Sequence, residues 1–337
     1  MTYSEAFYKG FDTANKNLLL ALVHMAATYI MAAGLVIVLI IPVAVAAVSF
    51  GGVMFTSLKD INIDNIGQLF LGKYLALVVV VAAIAMVYVL IATLVGLYIY
   101  GGSCGMLARG IKEERFKFTM EGFFAEARRL FGPVLGFTSV VGLVALVVLV
   151  LIVASVFPLS YIIESLESAN QSLSTFLMIL SILAGAVIFF FMFAGMFAVT
   201  LYGTAIVVFK GMPAMQSFNE AVRLILKRPA IFLFFLVCAI IYFAVNVMIL
   251  GGMFSVVMIP VIGTILMFPY QLLIQGVQYY LGILFIAVLF SYYTGIEGGQ
   301  LSSTTFDTST AATDTSLSAF VPETSPHQQG DKEEGVH

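Results

Sequence analysis

Six long apolar stretches constrain this 337-residue chain more than any other feature. A helix needs about 20 apolar residues to cross a bilayer. Stretches near 18–41, 75–100, 133–157, 176–209, 229–250 and 272–293 supply them. They are continuously apolar, whereas the strands of a membrane barrel alternate apolar with polar side chains, so helices are the expected element. Pro42, Pro158 and Gly251-Gly252 are expected to end the first, third and fifth spans. The apolar segments 42–51 and 251–269 are too short for another hairpin across the membrane and read as interfacial or re-entrant pieces on the outer side. Apolar types make up 61% of the chain and charged types 10%, against about 45–50% and about 25% in soluble domains. In water such a chain would expose aggregating patches; in lipid its helix exteriors match the hydrocarbon.

Lysine and arginine in short loops set orientation. One loop carries Arg109, Lys112, Arg115, Lys117, Arg128 and Arg129, another carries Lys210, Arg223, Lys227 and Arg228, and the N-terminal arm has Lys9 and Lys16. The opposite side offers only Lys59 and Lys73, beside Asp60, Asp64, Glu164 and Glu167. The basic segments are therefore expected in the cytoplasm of a cell (inner) membrane, and an even number of spans puts both termini there. The first apolar run far exceeds a signal-peptide core, so no cleaved leader is expected. A net charge of −3 gives no reason to expect nucleic acid.

Three segments share an order of features that reads as an internal repeat. Each opens with a short amphipathic helix: Phe7, Phe11 and Ala14; then Phe124, Ala127 and Phe131; then Phe218, Val222 and Ile225. Such a helix buries one face among acyl chains or against the bundle and wets the other. Each leads into two spans, with Pro133 and Pro229 at the corners of the second and third units, where proline suits the first turn of a new helix. Each second span ends in a glycine followed by an apolar residue, and the small residues Gly102, Gly203 and Ala287 stand eight positions before those glycines. Small positions let helices approach closely. The expected fold is all-α: a polytopic membrane bundle of about six spans, built from three units of amphipathic elbow helix plus two spans. It occupies residues 1–296. Residues 297–337, rich in Ser, Thr, Asp, Glu and Gly, are expected to form a disordered cytoplasmic tail.

Chemistry-bearing residues are sparse. Gly101-Gly102-Ser103-Cys104-Gly105 matches G-x-S-x-G, but a hydrolase needs that motif on a strand–turn–helix elbow with a His–acid pair. Here it ends a membrane helix, and Gly101 and Gly105 read better as a GxxxG packing pair. His24, the only histidine before the tail, reads as a structural hydrogen-bonding group or a headgroup contact. Two cysteines make neither a disulfide framework nor a metal site. Gln271, Gln275 and Gln278 share a helical face and read either as a polar path, with Asn246 as a partner, or as residents of the outer headgroup zone. The six apolar cores hold no Asp, Glu, Lys or Arg, which argues against ion coupling and intramembrane proteolysis. Asn170-Gln171-Ser172 is an outward-facing sequon that matters only in a eukaryotic secretory setting. Arg128, Arg129, Arg223, Lys227 and Arg228 sit where spans meet the cytoplasm. They read as topological anchors or as contacts to anionic headgroups, each worth on the order of 1 kcal/mol.

Phe123-Phe124-Ala125-Glu126-Ala127-Arg128-Arg129 leading to Pro133, and Phe218-Asn219-Glu220-Ala221-Val222-Arg223 leading to Pro229, resemble the elbow segments of uncharacterised prokaryotic six-span membrane proteins. These are similar to the membrane domain attached to some glycerophosphodiester phosphodiesterases. The resemblance implies a six-helix membrane domain over 1–296. The catalytic barrel of some members is absent, so no phosphodiesterase activity and no functional residue carries over. The expected function is non-enzymatic and cofactor-free: a scaffold or accessory factor in envelope or lipid processes, with the bilayer and anionic lipids as partners. The alternative is a transporter or channel for a neutral or lipophilic substrate.

Overall fold

A computed structural model describes residues 2–44, 75–113, 116–167, 171–257 and 262–311. The described residues form eight α-helices: α1 Tyr3–Lys16, α2 Leu19–Leu35, α3 Leu75–Lys112, α4 Met120–Glu167, α5 Gln171–Lys210, α6 Ala214–Lys227, α7 Pro229–Val257 and α8 Ile262–Ala311. Among the described residues six spans meet the length and hydropathy of a membrane crossing: Leu19–Ala44, Val79–Lys112, Met120–Ser155, Gln171–Lys210, Pro229–Gly252 and Pro269–Glu297. The chain is thus an all-helical, multi-pass membrane protein whose immediate partner is the lipid bilayer. Residues Met1–Tyr293 form one compact unit and Thr294–His337 a second. Helix α8 runs past Glu297, where the tail begins, and residues 312–337 lie outside the described residues.

Local sequence explains the short helices. Thr2 caps α1 through a reciprocal box: its side chain accepts from the Glu5 backbone N–H, and its own N–H donates to the Glu5 carboxylate at 2.8 Å. That N–H is the main reason the Glu5 carboxyl is held below its usual range, with the Thr2 hydroxyl second. Gly211, at φ 65°, closes α5. Its N–H bonds the Val207 carbonyl at 3.0 Å, and a left-handed residue there costs glycine nothing. Arg228, at φ −133° and ψ 81°, separates α6 from α7. The residue before a proline is pushed out of the helical region, and Pro229 then fits the first turn of α7.

The prolines expected to stop spans do not stop them. Pro42 lies on helical backbone that continues to Ala44. A π-helical turn, Val36–Ile40, precedes it, and the Ile41 N–H reaches back to Val36. Widening the turn accommodates a ring that would otherwise crowd the carbonyl four residues earlier. Pro133 and Pro158 both lie inside α4, so the second elbow and its span form one 48-residue helix rather than a corner. Helix α7 continues through Gly251-Gly252 to Val257, and α8 already runs through Pro269. The segment 251–269 is therefore helical on both sides of residues 258–261. Those four residues lie outside the description, as do 45–51. In hydrocarbon an unpaired peptide group costs several kcal/mol, so a chain keeps its helix through residues that would end it in water.

The core sits at one end of the bundle. Its largest fully buried side chains include Tyr202, Tyr293, Phe123, Phe137, Phe235 and Phe290. Those residues, with Leu20, Met106 and Leu107, lie where α3 and α5 finish and α2, α4 and α7 begin. The helix ends there carry Lys16, Arg109, Lys112, Lys210 and Lys227, and this end is called the basic end below. One cluster joins Ala14, Leu20, Met106, Leu107, Phe123, Ile283 and Ala287. Toward the other end large apolar side chains are exposed, among them Val87, Leu90, Leu146, Leu151, Ile179 and Phe190. In a bilayer that surface faces acyl chains.

Candidate functional site: a polar chamber between the spans

Four helices wall a cavity of about 390 Å³. Helix α2 contributes His24; α3 contributes Tyr100, Ser103 and Leu107; α7 contributes Tyr242 and Asn246; α8 contributes Gln278, Tyr279, Gly282, Ile283 and Ile286. Every one of these positions lies within a candidate span.

Hydrogen bonds tie the walls together. His24 Nε2 and Ser103 Oγ lie 2.9 Å apart, and Ser103 also donates to the Ile99 carbonyl at 2.9 Å. The imidazole stacks on Tyr279, with ring centroids 5.8 Å apart. Tyr279 O–H pairs with Thr28 Oγ1 at 2.5 Å. Tyr29 O–H donates to Gln275 Oε1 at 2.6 Å, and the Gln275 amide reaches Tyr279 at 3.5 Å. Asn246 Nδ2 donates to the Tyr242 carbonyl at 2.8 Å. A polar network of this kind spares groups that would be costly if left bare in hydrocarbon.

The polar-path residues divide. Gln278 and Asn246 line the chamber, Gln275 joins its hydrogen-bond network, and Gln271 is exposed. Thr28, Tyr29, Tyr100 and Tyr242 were not singled out from the sequence. The signal available was the run of hydroxyls one turn beyond His24.

Ser103 and His24 form the contact that a nucleophile and its base would need. Yet Ser103 sits on regular helix, with its hydroxyl shared with the Ile99 carbonyl, and among the described residues no carboxylate lines the chamber to orient the imidazole. The arrangement suits recognition by hydrogen bonds. Among the described residues no three His, Cys, Asp or Glu side chains gather into a metal site.

The small positions mark close helix contacts. A Cβ added at Gly102 would come within 2.8 Å of the Phe123 ring, and at Gly105 within 2.8 Å of Glu126. At Gly101 it would meet Leu130 at an ordinary 3.6 Å, and at Gly203 it would fall 2.2 Å from Phe137. Ala287 is fully buried in the core cluster. Of the five cations suggested for headgroups, Arg128, Arg223 and Lys227 are exposed, and Arg228 is half-buried. Arg129 pairs with the buried Glu126 at 2.6 Å.

No protein-family model, curated protein or solved structure matches this chain. Six apolar helical spans stand, and nothing ties the chain to the membrane domain of the glycerophosphodiester phosphodiesterases.

Proposed function

We propose that this protein binds a neutral molecule with hydrogen-bonding groups and an apolar body in the chamber between α2, α3, α7 and α8, as a transporter or channel for such a substrate. One observation carries the reading: His24, Ser103, Asn246, Gln278 and Tyr279 converge on a single cavity within otherwise apolar spans. Placing so many polar groups in hydrocarbon is costly, and a cavity that a ligand can fill is one situation that offsets the cost. Among the described residues no Asp, Glu, Lys or Arg lines the cavity, which favours an uncharged ligand, while Leu107, Ile283 and Ile286 favour an apolar portion. The role is non-catalytic in this reading, because nothing in the lining would activate the Ser103–His24 pair.

The remaining assignments belong to the same proposal. The protein resides in a prokaryotic inner membrane with both termini in the cytoplasm, on the distribution of lysine and arginine. Its three units share an ancestral plan of elbow helix plus two spans, supported by α1 and α6 standing as separate helices before α2 and α7. A scaffold or accessory role in envelope or lipid processes is the second reading, favoured by α6, which exposes Met215 and Leu226 beside Arg223 and Lys227.

Gly282 offers a direct test, since a Cβ there meets nothing within 4 Å. Gly282→Leu should fill the chamber without disturbing its walls, and Gln278→Leu should strip a recognition group. Protein purified from native membranes is expected to retain a neutral small molecule or lipid, detected by mass spectrometry, that both variants lose at least tenfold. Identical retained species in wild type and variants would sink the binding reading and leave the scaffold.

A further inference from the structure

The hydrogen bonds around the chamber divide its polar groups into two sets. One set is engaged between the walls. The Tyr279 hydroxyl pairs with Thr28 Oγ1 and accepts from the Gln275 amide, whose Oε1 in turn takes the Tyr29 O–H. The Tyr100 hydroxyl has Thr204 and Cys104 beside it. The other set is open. Gln278, half-buried on α8, lines the cavity and has no hydrogen-bond partner among the described residues. Asn246 of α7 donates an N–H to the Tyr242 carbonyl, which leaves its Oδ1 as the open end. His24 of α2 meets Ser103 through Nε2. The single Ser103 hydroxyl hydrogen goes to the Ile99 carbonyl, so Ser103 accepts from Nε2–H, and Nδ1 of the neutral ring is left as an acceptor.

A carboxamide presents a carbonyl oxygen and an N–H side by side on one planar edge. Its complement is a second edge of the same kind, because two parallel hydrogen bonds then satisfy both groups at once. A lone ether or ester oxygen cannot do this. A primary amide brings one more N–H on its other side, and open acceptors for it stand on two other walls, Asn246 Oδ1 on α7 and His24 Nδ1 on α2. An N-alkyl amide fits poorly, since its trans bond puts C=O and N–H on opposite edges. A ring lactam is held cis and keeps them together. A carboxylate would need a cation, and among the described residues none lines the chamber. A site built to hydrogen-bond an N–H rejects the analogue that lacks it, because its own polar groups are then left bare.

Resting on the chamber as a ligand site, we infer that its substrate is an uncharged amphiphile whose head carries a primary amide or a lactam edge. Gln278 pairs with that edge, and Asn246 and His24 stand beside it as further acceptors. The apolar chain of the molecule lies against Leu107, Ile283 and Ile286, which complete the lining. Gln278 is thereby the residue that sets specificity for the head.

The test uses the full chain in a neutral detergent. Cys104 and Cys238 are both buried, so a thiol-reactive dye reports thermal unfolding. Wild type is titrated with decanamide, with a pyrrolidinone carrying an alkyl chain on carbon and a free N–H, with N-methyldecanamide, with methyl decanoate and with decanoate. A saturable rise in midpoint is expected, with half-saturation at least tenfold lower for decanamide or the pyrrolidinone than for the N-methyl amide and the ester. Gln278→Met should lose most of that preference and keep the weak ester response, whereas Gly282→Leu should lose every response. If Gln278→Met lowers the unliganded midpoint, Asn246→Leu on α7 is read for the same loss of preference. A stronger response to decanamide assigns the acyclic amide, and a stronger one to the pyrrolidinone assigns the ring. Equal half-saturation by amide and ester in wild type, an equal response from decanoate, or an unchanged preference in both variants would overturn the amide edge. The binding reading would survive those outcomes wherever Gly282→Leu still abolished the response. No saturable response to any of the probes would overturn the inference too, while the binding reading falls separately, on the molecule retained from native membranes.

Discussion

At Gly203 the missing side chain is a packing requirement. The Phe137 ring occupies the space where a Cβ would stand, 2.2 Å from it, and Phe137 is itself fully buried. Gly203→Ala must push that ring into a filled core, at a cost of about 1–3 kcal/mol. Dye-detected unfolding should show the loss, and Phe137→Leu should recover most of it in the double variant, since residues in contact do not behave additively. An unchanged Gly203→Ala midpoint would mean that the ring swings aside freely. Gly203 stood out in the sequence as a small position in an apolar run, but its partner did not. Nothing along the chain distinguishes Phe137 from the 29 other phenylalanines. The chamber repeats the lesson. Gln275, Gln278 and Asn246 are conspicuous because amides are rare in spans, whereas Tyr29, Tyr242 and Tyr279 equally suit a membrane interface. Only the tertiary approach of α2, α7 and α8 separates the two.

Among elements, α1 docks where its backbone comes close to that of another helix. Its buried side is made of small residues, Ala6, Gly10, Thr13 and Ala14, while Phe7 and Phe11 stay largely exposed. Of the stripe Phe7, Phe11 and Ala14 only Ala14 is buried within the chain: the helix docks through small residues, and the rings are left beside an apolar groove with Leu233, Val237 and Ile241. A Cβ at Gly10 would lie 2.6 Å from the Val288 Cα, a backbone atom that cannot rotate away. Gly10→Leu is therefore expected to lift α1 off the bundle while the six spans remain. Hydrogen exchange over 3–16 should then accelerate by at least tenfold with the span amides unaffected; unchanged protection would show that α1 is held elsewhere. The spans themselves were legible because crossing hydrocarbon demands a collective property, some 20 apolar residues in a row. Their ends were not, because Pro42, Pro158 and Gly251 were weighed by rules that hold where water can satisfy a broken helix.

Across the whole molecule the asymmetry of charge matters most. The basic end gathers the cations of α1, α3, α5 and α6, and the positive-inside tendency puts that end in the cytoplasm. Lys117→Cys and Arg223→Cys, both at exposed positions, should react with a membrane-impermeant thiol reagent only after cells are permeabilised. Ser165→Cys, near the opposite end of α4, should react in intact cells. The reverse pattern would invert the topology.

Among the described residues tight packing, too, is concentrated at the basic end, and this has a material consequence. Away from it, Leu146, Leu151, Ile179, Phe190 and Met248 find few neighbours within the chain. The dispersion contacts they lack must come from surrounding molecules. Half of each long helix is thus completed by solvent that happens to be fat. Its rigidity belongs to the mixture rather than to the polypeptide, and the length and saturation of host lipids become variables as influential there as any single side chain.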